Sequence, residues 1–136
     1  MQGKITNINP GGLIKNPAFS QAVITEGNGK TIYIGGQNAV EASGNIVGKG
    51  NTGLQAEQVM RNIQIALVAC DAAFSDLIKL NIYIVQGHSA NEAFVATQPF
   101  MKQCANPPAI SVVYVAGLVN PEFLVEIEAI AFKPAE

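Results

Sequence analysis

The sequence is poor in charge, in cysteine and in histidine, and each shortage argues against a class of function. Charged residues make up 13% of the chain, and eight basic against ten acidic residues give a net charge of -2. With no basic cluster to follow a phosphate backbone or an anionic lipid surface, nucleic acid and membrane are not expected partners. The two cysteines, Cys70 and Cys104, lack metal-ligand spacing. We expect them to be core or helix-end residues, not a disulfide or a metal site.

Residues that commonly build nucleophilic or nucleotide-binding sites are also scarce. His88 is the only histidine, and no GxSxG sequence is present to hold a serine nucleophile beside it. We interpret His88 as a loop residue, with a role as a general base as the alternative. Gly35 and Gly36 follow a strand pattern but belong to no GxGxxG or GxxxxGK sequence, so nucleotide binding is not expected.

Long apolar runs are absent as well. No run reaches the roughly 18 residues of a membrane span, and no apolar core follows a basic N-terminal start. We therefore expect a cytoplasmic protein with a single domain over residues 1–136. Apolar residues nevertheless make up 49% of the chain. With so little charge, part of the surface must be apolar, which favours a homo-oligomer.

Periodicity and turn signals predict an α/β (α+β) fold with the element order β(ββ)αβαββ. Asn28-Gly29 favours a hairpin between the second and third strands. Capping boxes beginning at Thr52 and Ser89 predict the starts of two helices. The helices are expected at residues 52–73 and 89–103, and the strands at residues 4–8, 22–25, 31–35, 78–85, 109–116 and 124–132.

Two helices can cover only one face of such a sheet, so the other face needs a different cover. In the last strand, alternation places Val125, Ile127, Ala129 and Ala131 on one side, which we assign to the helices. The opposite, outward face is expected to form an apolar interface for self-association. Its predicted members are Leu124, Glu126, Glu128, Ile130 and Phe132, with Ile110, Val112 and Tyr114 of the preceding strand.

Glu126 and Glu128 form a pair of carboxylates on that outward face, about 7 Å apart by strand geometry. Two solvated or ion-paired glutamates are one interpretation. The other is a functional pair, in which crowding on a partly apolar surface raises the pKa of at least one member.

Four segments of the chain form an ordered set: Phe19-Ser20-Gln21-Ala22-Val23, Gly35-Gly36-Gln37, Pro108-Ala109 and Val125-Glu126-Ile127-Glu128-Ala129-Ile130-Ala131. Together they resemble the RidA (YjgF) family of reactive-intermediate deaminases. The last segment is the most specific, and the set spans nearly the whole chain. The resemblance implies a chorismate-mutase-like fold, with a six-stranded mixed sheet and two helices on one face, assembled as a homotrimer with three clefts between subunits.

The resemblance also implies an activity and a set of site residues. Family members hydrolyse imines and enamines derived from amino acids, such as 2-aminoacrylate, without a cofactor. Glu126 matches the glutamate that positions water and is the candidate catalytic residue, whereas Glu128 is interpreted as its structural neighbour. The substrate-binding candidates are Phe19, Gly36, Phe94, Ile110 and Val112.

One departure from the family pattern affects the expected activity. The arginine that binds the substrate carboxylate is replaced here by Ile110, and the only arginine, Arg61, lies on the wet face of the first predicted helix. An isoleucine offers no hydrogen bond to a carboxylate. Phe19 and Phe94 replace a family tyrosine and asparagine, so the cleft becomes more apolar.

Two functions therefore stay open. The first is a cofactor-independent deaminase or hydrolase of C=N bonds with weak or no archetypal imino-acid activity. The alternative is a non-catalytic trimer that binds a small metabolite or regulates through it. A nuclease, a name also attached to this family, has little support in a chain without a basic cluster.

Overall fold

The fold is described from a computed structural model of residues 1–136. The two helices and six strands appear in the expected order. The mixed α and β fold is thereby confirmed. The strands are β1 Lys4–Ile8, β2 Ala22–Glu26, β3 Gly29–Gln37, β4 Leu77–Val85, β5 Ala109–Val115 and β6 Val125–Pro134, and the helices are α1 Thr52–Ala69 and α2 Ala90–Met101, with a short 3₁₀ helix at Phe74–Asp76.

Four strands form the main sheet, in the order β3-β6-β4-β5. β4 and β5 are parallel and are connected through α2, whereas β6 is antiparallel to both β3 and β4. The sheet is therefore mixed. β1 and β2 pair with each other as a separate antiparallel ribbon. The six strands thus divide into sheets of four and two, which isolated bridges connect at Gln2↔Asn28 and Ser20↔Ala109.

The hairpin expected between β2 and β3 is wrong, because β2 pairs with β1 and β3 pairs with β6. The turn between them packs on the N-terminal segment. Gly27 has a φ of +78°, and a Cβ placed there would lie 2.3 Å from the backbone oxygen of Gln2. Asn28 donates its N–H to the Met1 carbonyl. These contacts with the N-terminal segment, and not pairs between β2 and β3, hold the turn at Gly27 and Asn28 in place.

Helix α1 differs from its prediction at both ends: its N-cap is a different residue, and it ends about one turn earlier. Asn51, not Thr52, caps α1 by accepting a hydrogen bond from the Leu54 N–H. The helix ends at Ala69, and Asp71 has a positive φ of 61° that stops it from continuing to residue 73. Ser89 caps α2 as predicted, accepting from the Glu92 N–H. Neither helix has the length and hydropathy that a membrane-spanning helix needs.

The hydrophobic core lies between the helices and one face of the main sheet. Val125, Ile127, Ala129 and Ala131 are all buried on this face, as the alternation in β6 predicted. α1 contributes a buried stripe to the same core, and α2 adds Ala93. The stripe consists of Ala56, Val59, Met60, Ile63 and Leu67.

Two parts of the predicted outward face are wrong. Leu124 and Phe132 are buried, at 7% and 6% exposure, so neither belongs to an exposed interface, although Phe132 pairs with Thr31 on the predicted side. Ile110, Val112 and Tyr114 of β5 lie on the helix side, because they pair with Leu80, Ile82 and Ile84, whose partners in β6 are the buried residues Ala129, Ile127 and Val125. Residues paired across a sheet point to the same side. The open face of the sheet therefore carries the other set: Tyr33, Lys79, Asn81, Tyr83, Ser111, Val113, Glu126, Glu128 and Ile130.

Candidate functional site

Glu126 lies on the open face beside an irregularity in β3. The register passes from Ile34↔Ala129 to Gln37↔Ile127, so three steps along β3 match two along β6. The extra residue makes a β-bulge at Gly35 and Gly36, a feature that often re-aims side chains near functional sites. A Cβ at Gly36 would lie 2.7 Å from Oε2 of Glu126. Glycine at position 36 therefore leaves the space that the Glu126 carboxylate occupies.

Glu128, two residues further along the same strand, is in a different environment. Tyr83 donates its hydroxyl to Oε1 of Glu128 at 2.7 Å, and Asn81 donates its amide to the same oxygen at 3.0 Å. The Tyr83 bond, then the Asn81 bond, lowers the pKa of Glu128. The same hydrogen bond raises the pKa of Tyr83. At Glu128 the shift is thus opposite to the one expected from crowding, because the strand partners supply donors that stabilise the ionised form.

The open face also holds a small cavity of about 260 Å³ beside Glu128, with a wall of both polar and apolar residues. Lys79 lines it, and its ammonium group donates to the Ser111 hydroxyl at 3.0 Å. Tyr33, Asn81 and Glu128 are also in its wall. The sequence analysis did not identify these polar residues as one group. The period-two alternation of β4 was a usable signal, because it places Lys79, Asn81 and Tyr83 on the same side of the strand.

Phe19, Phe94, Ile110 and Val112 line one apolar pocket on the helix side, between α2 and β5. Its volume is about 270 Å³. Phe94 and Val112 are about half exposed, at 46% and 52%, so the pocket opens to solvent at the edge of the sheet. None of its lining residues is ionisable. The others are Asn16, Ala18, Leu80, Ile82, Thr97, Gln98 and Met101.

The contribution of α2 to this pocket was only partly foreseen. Phe94 was a candidate, and Thr97, Gln98 and Met101 join it at the i+3, i+4 and i+7 positions of one helix face. This spacing is readable in the sequence once Phe94 is selected. The Thr97 hydroxyl is already engaged, since it donates to the Phe94 carbonyl at 2.7 Å.

The structure thus separates the six candidate residues into two groups. Gly36 and Glu126 lie at β3 and β6 on the open face, and the other four line the pocket beside β5 on the helix side. β3 and β5 are the opposite edge strands of the main sheet. One subunit by itself therefore does not bring the two groups together.

The remaining reactive side chains lie outside both groups. Cys70 caps the C-terminus of α1, Cys104 follows α2, and both are free thiols. Cys104 donates to the Phe74 carbonyl, and burial raises the pKa of its thiol. His88 is in the turn between β4 and α2, where its backbone N–H donates to the Val85 carbonyl. No three histidine, cysteine, aspartate or glutamate side chains are grouped as a metal site would require.

Comparison with known proteins decides the family. The family model described as Endoribonuclease L-PSP matches residues 14–133. The chain belongs to this family, that of the RidA (YjgF) proteins. A human relative named 2-iminobutanoate/2-iminopropanoate deaminase is 28% identical over 115 residues, which cover 85% of this chain and 80% of the relative.

Solved structures of RidA-family proteins share the fold. YyfB from Yersinia pestis, described as a protein of unknown function of the conserved Rid family, is 34% identical with a TM-score of 0.84, covering 93% of this chain and 97% of its own. RidA from an Antarctic Psychrobacter is 28% identical with a TM-score of 0.67, covering 83% and 86%. These likenesses agree with the two helices and the mixed sheet described above.

Proposed function

We propose that this RidA-family protein binds a small apolar metabolite in a cleft between subunits and hydrolyses its C=N bond with Glu126. The observation that carries the proposal is the contrast between the two carboxylates of β6. Glu128 is held by Tyr83 and Asn81, whereas the Glu126 carboxylate faces the glycine of the bulge. Glu126 is therefore the carboxylate available to a water molecule and a ligand.

Assembly would join the two groups of site residues. The edge strand β5 exposes Val113 and Tyr114, at 46% and 52%, and the opposite edge strand β3 exposes Tyr33 at 78%. Unpaired apolar edge strands are normally covered in native proteins. A head-to-tail contact between copies forms a closed ring when the rotation between neighbours divides a full turn. Such a contact would bring the pocket beside β5 of one subunit to Gly36 and Glu126 of the next, and the family resemblance supports three subunits.

The chemistry of this cleft needs no group from outside the chain. Water adds to the carbon of the C=N bond while Glu126 accepts its proton. Glu126 then returns this proton to the nitrogen, and the carbinolamine expels ammonia or an amine as its hydroxyl becomes the carbonyl of the product. A carboxylate within hydrogen-bond reach of the attacking water is the single requirement on the protein. The apolar pocket would hold the rest of the substrate.

The human relative's name describes a deaminase of imino acids, and we expect such anionic substrates to react slowly here. Ile110 cannot hold a carboxylate, and loss of a bidentate contact of this kind costs roughly 2 to 4 kcal/mol, or about 30-fold to 1,000-fold.

The uncharged wall of the pocket also favours a second candidate function. A trimer that binds a metabolite without turning it over, in a sensing or regulatory role, needs the pocket but not Glu126.

The test compares Glu126→Gln with its strand neighbour Glu128→Gln. Imines are generated in situ by a flavin amine oxidase from apolar primary amines, and their lifetime is measured by competition with semicarbazide. We expect the parent to shorten that lifetime, Glu126→Gln to lose about 100-fold or more of the activity, and Glu128→Gln to keep most of it.

Light scattering on both variants separates loss of assembly from loss of catalysis. If Glu126→Gln remains assembled and retains the full activity of the parent, the catalytic role is wrong. Saturable binding without any turnover by the parent would support the metabolite-binding trimer instead.

A further inference from the structure

One half of the proposed cleft is uncharged, and the other half carries the carboxylate of Glu126. None of the residues that line the apolar pocket is ionisable. On the other half, Glu126 is the ionisable side chain that Gly36 leaves uncovered, and Glu128 lies beyond it with a pKa lowered by its hydrogen bonds. A ligand spanning both halves would therefore meet an apolar wall at one end and a carboxylate at the other.

The basic residues of the chain lie outside the apolar pocket, and none pairs with Glu126 in the sheet. Lys79 is on the same face as Glu126 and stays charged, but it pairs with Ile130, four residues along β6 from Glu126, and its ammonium group reaches towards Ser111. Lys15 and Lys102 adjoin pocket residues in sequence but are exposed and do not line the pocket. Lys133 lies at the far end of β6. Others are engaged elsewhere: Arg61 with Glu57, Lys4 with Glu26, Lys49 with Glu122, and Lys30 with the Cys70 carbonyl.

From this distribution, and resting on the proposed cleft, we infer that the ligand is a cation with an apolar side chain: a protonated amine or an iminium ion. A carboxylate would be brought towards Glu126 with no cation in the pocket wall to compensate it, and like charges in a partly dry site repel strongly. A cation would gain a charge-assisted hydrogen bond to the same group. In an iminium substrate the positive C=N unit is also the more reactive form towards water.

The ligand's apolar part would be small. The pocket volume of about 270 Å³ suits a phenyl or branched aliphatic group. The wall beside that group is aromatic and aliphatic, formed by Phe19, Phe94, Ile110 and Val112 among others. Burial of the ligand's apolar group against this wall stabilises the complex, while the charged end of the ligand stays at the carboxylate.

The experiment measures binding of three phenyl compounds of similar size by isothermal titration calorimetry. They are the cation 2-phenylethylammonium, the neutral 2-phenylethanol and the anion 3-phenylpropanoate. We expect the cation to bind the assembled protein at least tenfold more tightly than the anion. Glu126→Gln should reduce this preference to less than threefold, and Glu128→Gln, whose carboxylate is held by Tyr83, should retain it.

Ile110→Arg provides the reciprocal test, because a guanidinium in the pocket should invert the preference towards the anion. Circular dichroism and light scattering confirm that each variant is folded and assembled, and Glu126→Gln suffices if the arginine variant fails to fold. Tighter binding of the anion by the parent overturns the inference of a cationic ligand but is compatible with the proposed cleft. If none of the three compounds binds saturably, the cleft itself is refuted and the inference with it.

Discussion

At the scale of single residues, two glutamates on one strand face are separated by their neighbours. Glu128 receives hydrogen bonds from Tyr83 and Asn81 of β4. Glu126 instead faces the bulge of β3, where the absent side chain of Gly36 makes room for it. The difference between a structural carboxylate and an available one therefore comes from what the adjacent strands present at each position.

Replacement of Gly36 tests this arrangement directly. The Cβ of Gly36→Ala would meet the flexible end of Glu126 at 2.7 Å, so the carboxylate should move while the fold persists. We expect a change in the free energy of unfolding below about 1 kcal/mol. Turnover or ligand affinity should fall about tenfold or more, and the carboxyl ¹³C resonance of Glu126 should shift.

Gly35→Ala is the matched control, because a Cβ at Gly35 meets nothing within 4 Å. It lies one residue away in the same bulge and should retain activity and the Glu126 resonance. Equal losses in both alanine variants would show that the bulge backbone, not the space for Glu126, controls the site.

At the scale of elements, one buried side chain connects α1 to two loops. Gln55 is fully buried in the first turns of the helix. Its amide donates to the carbonyls of Gly48 and Glu122, and its oxygen accepts from the Leu124 N–H. Leu124 directly precedes β6, so this side chain sets where the strand that carries Glu126 begins.

Gln55→Ala should therefore destabilise the protein by about 2–4 kcal/mol, because it leaves three backbone groups without their partner, among them the buried N–H of Leu124. Urea denaturation at fixed protein concentration measures this loss. The control is Gln64→Ala on the same helix, whose side chain is exposed and whose removal should change stability by less than about 0.5 kcal/mol. Similar values for the two variants would contradict the connecting role of Gln55.

At the scale of the whole molecule, the apolar surface is distributed unevenly. The open face and its edge strands expose Tyr33 and Val113, and the outer side of α1 exposes Ile65 and Val68. We assign the first surface to contacts between subunits because it carries Glu126, whose partners in the candidate site lie beside the opposite sheet edge. In the proposed assembly, the outer side of α1 would lie outside the contacts between subunits.

Light scattering should give the parent about three times the 14.3 kDa chain mass. Val113→Lys places a charge on the open face and should shift the protein to smaller species. Val68→Lys adds the same charge to the outer side of α1 at a residue that is more exposed, 69% against 46%, and should leave the mass unchanged. A parent that is monomeric at micromolar concentration would refute both the assembly and the shared site.

The features that the sequence predicted correctly are those that depend on near neighbours. The alternation in β6 identified the buried set from Val125 to Ala131, the Ser89 cap marked the start of α2, and the VEIEAIA segment pointed to the RidA family. Strand alternation and helix capping act over a few residues, so a local pattern contains the information they need.

Only the tertiary structure decided which strands pair and in which register. β2 joined β1 against the Asn-Gly turn signal, and the register of β4 with β5 placed Ile110 and Val112 on the helix side, away from Glu126. The donors that hold Glu128 come from residues more than 40 positions away. Pairing and register are settled by the burial of side chains distant in sequence, and a shift of one residue would turn every side chain to the other face.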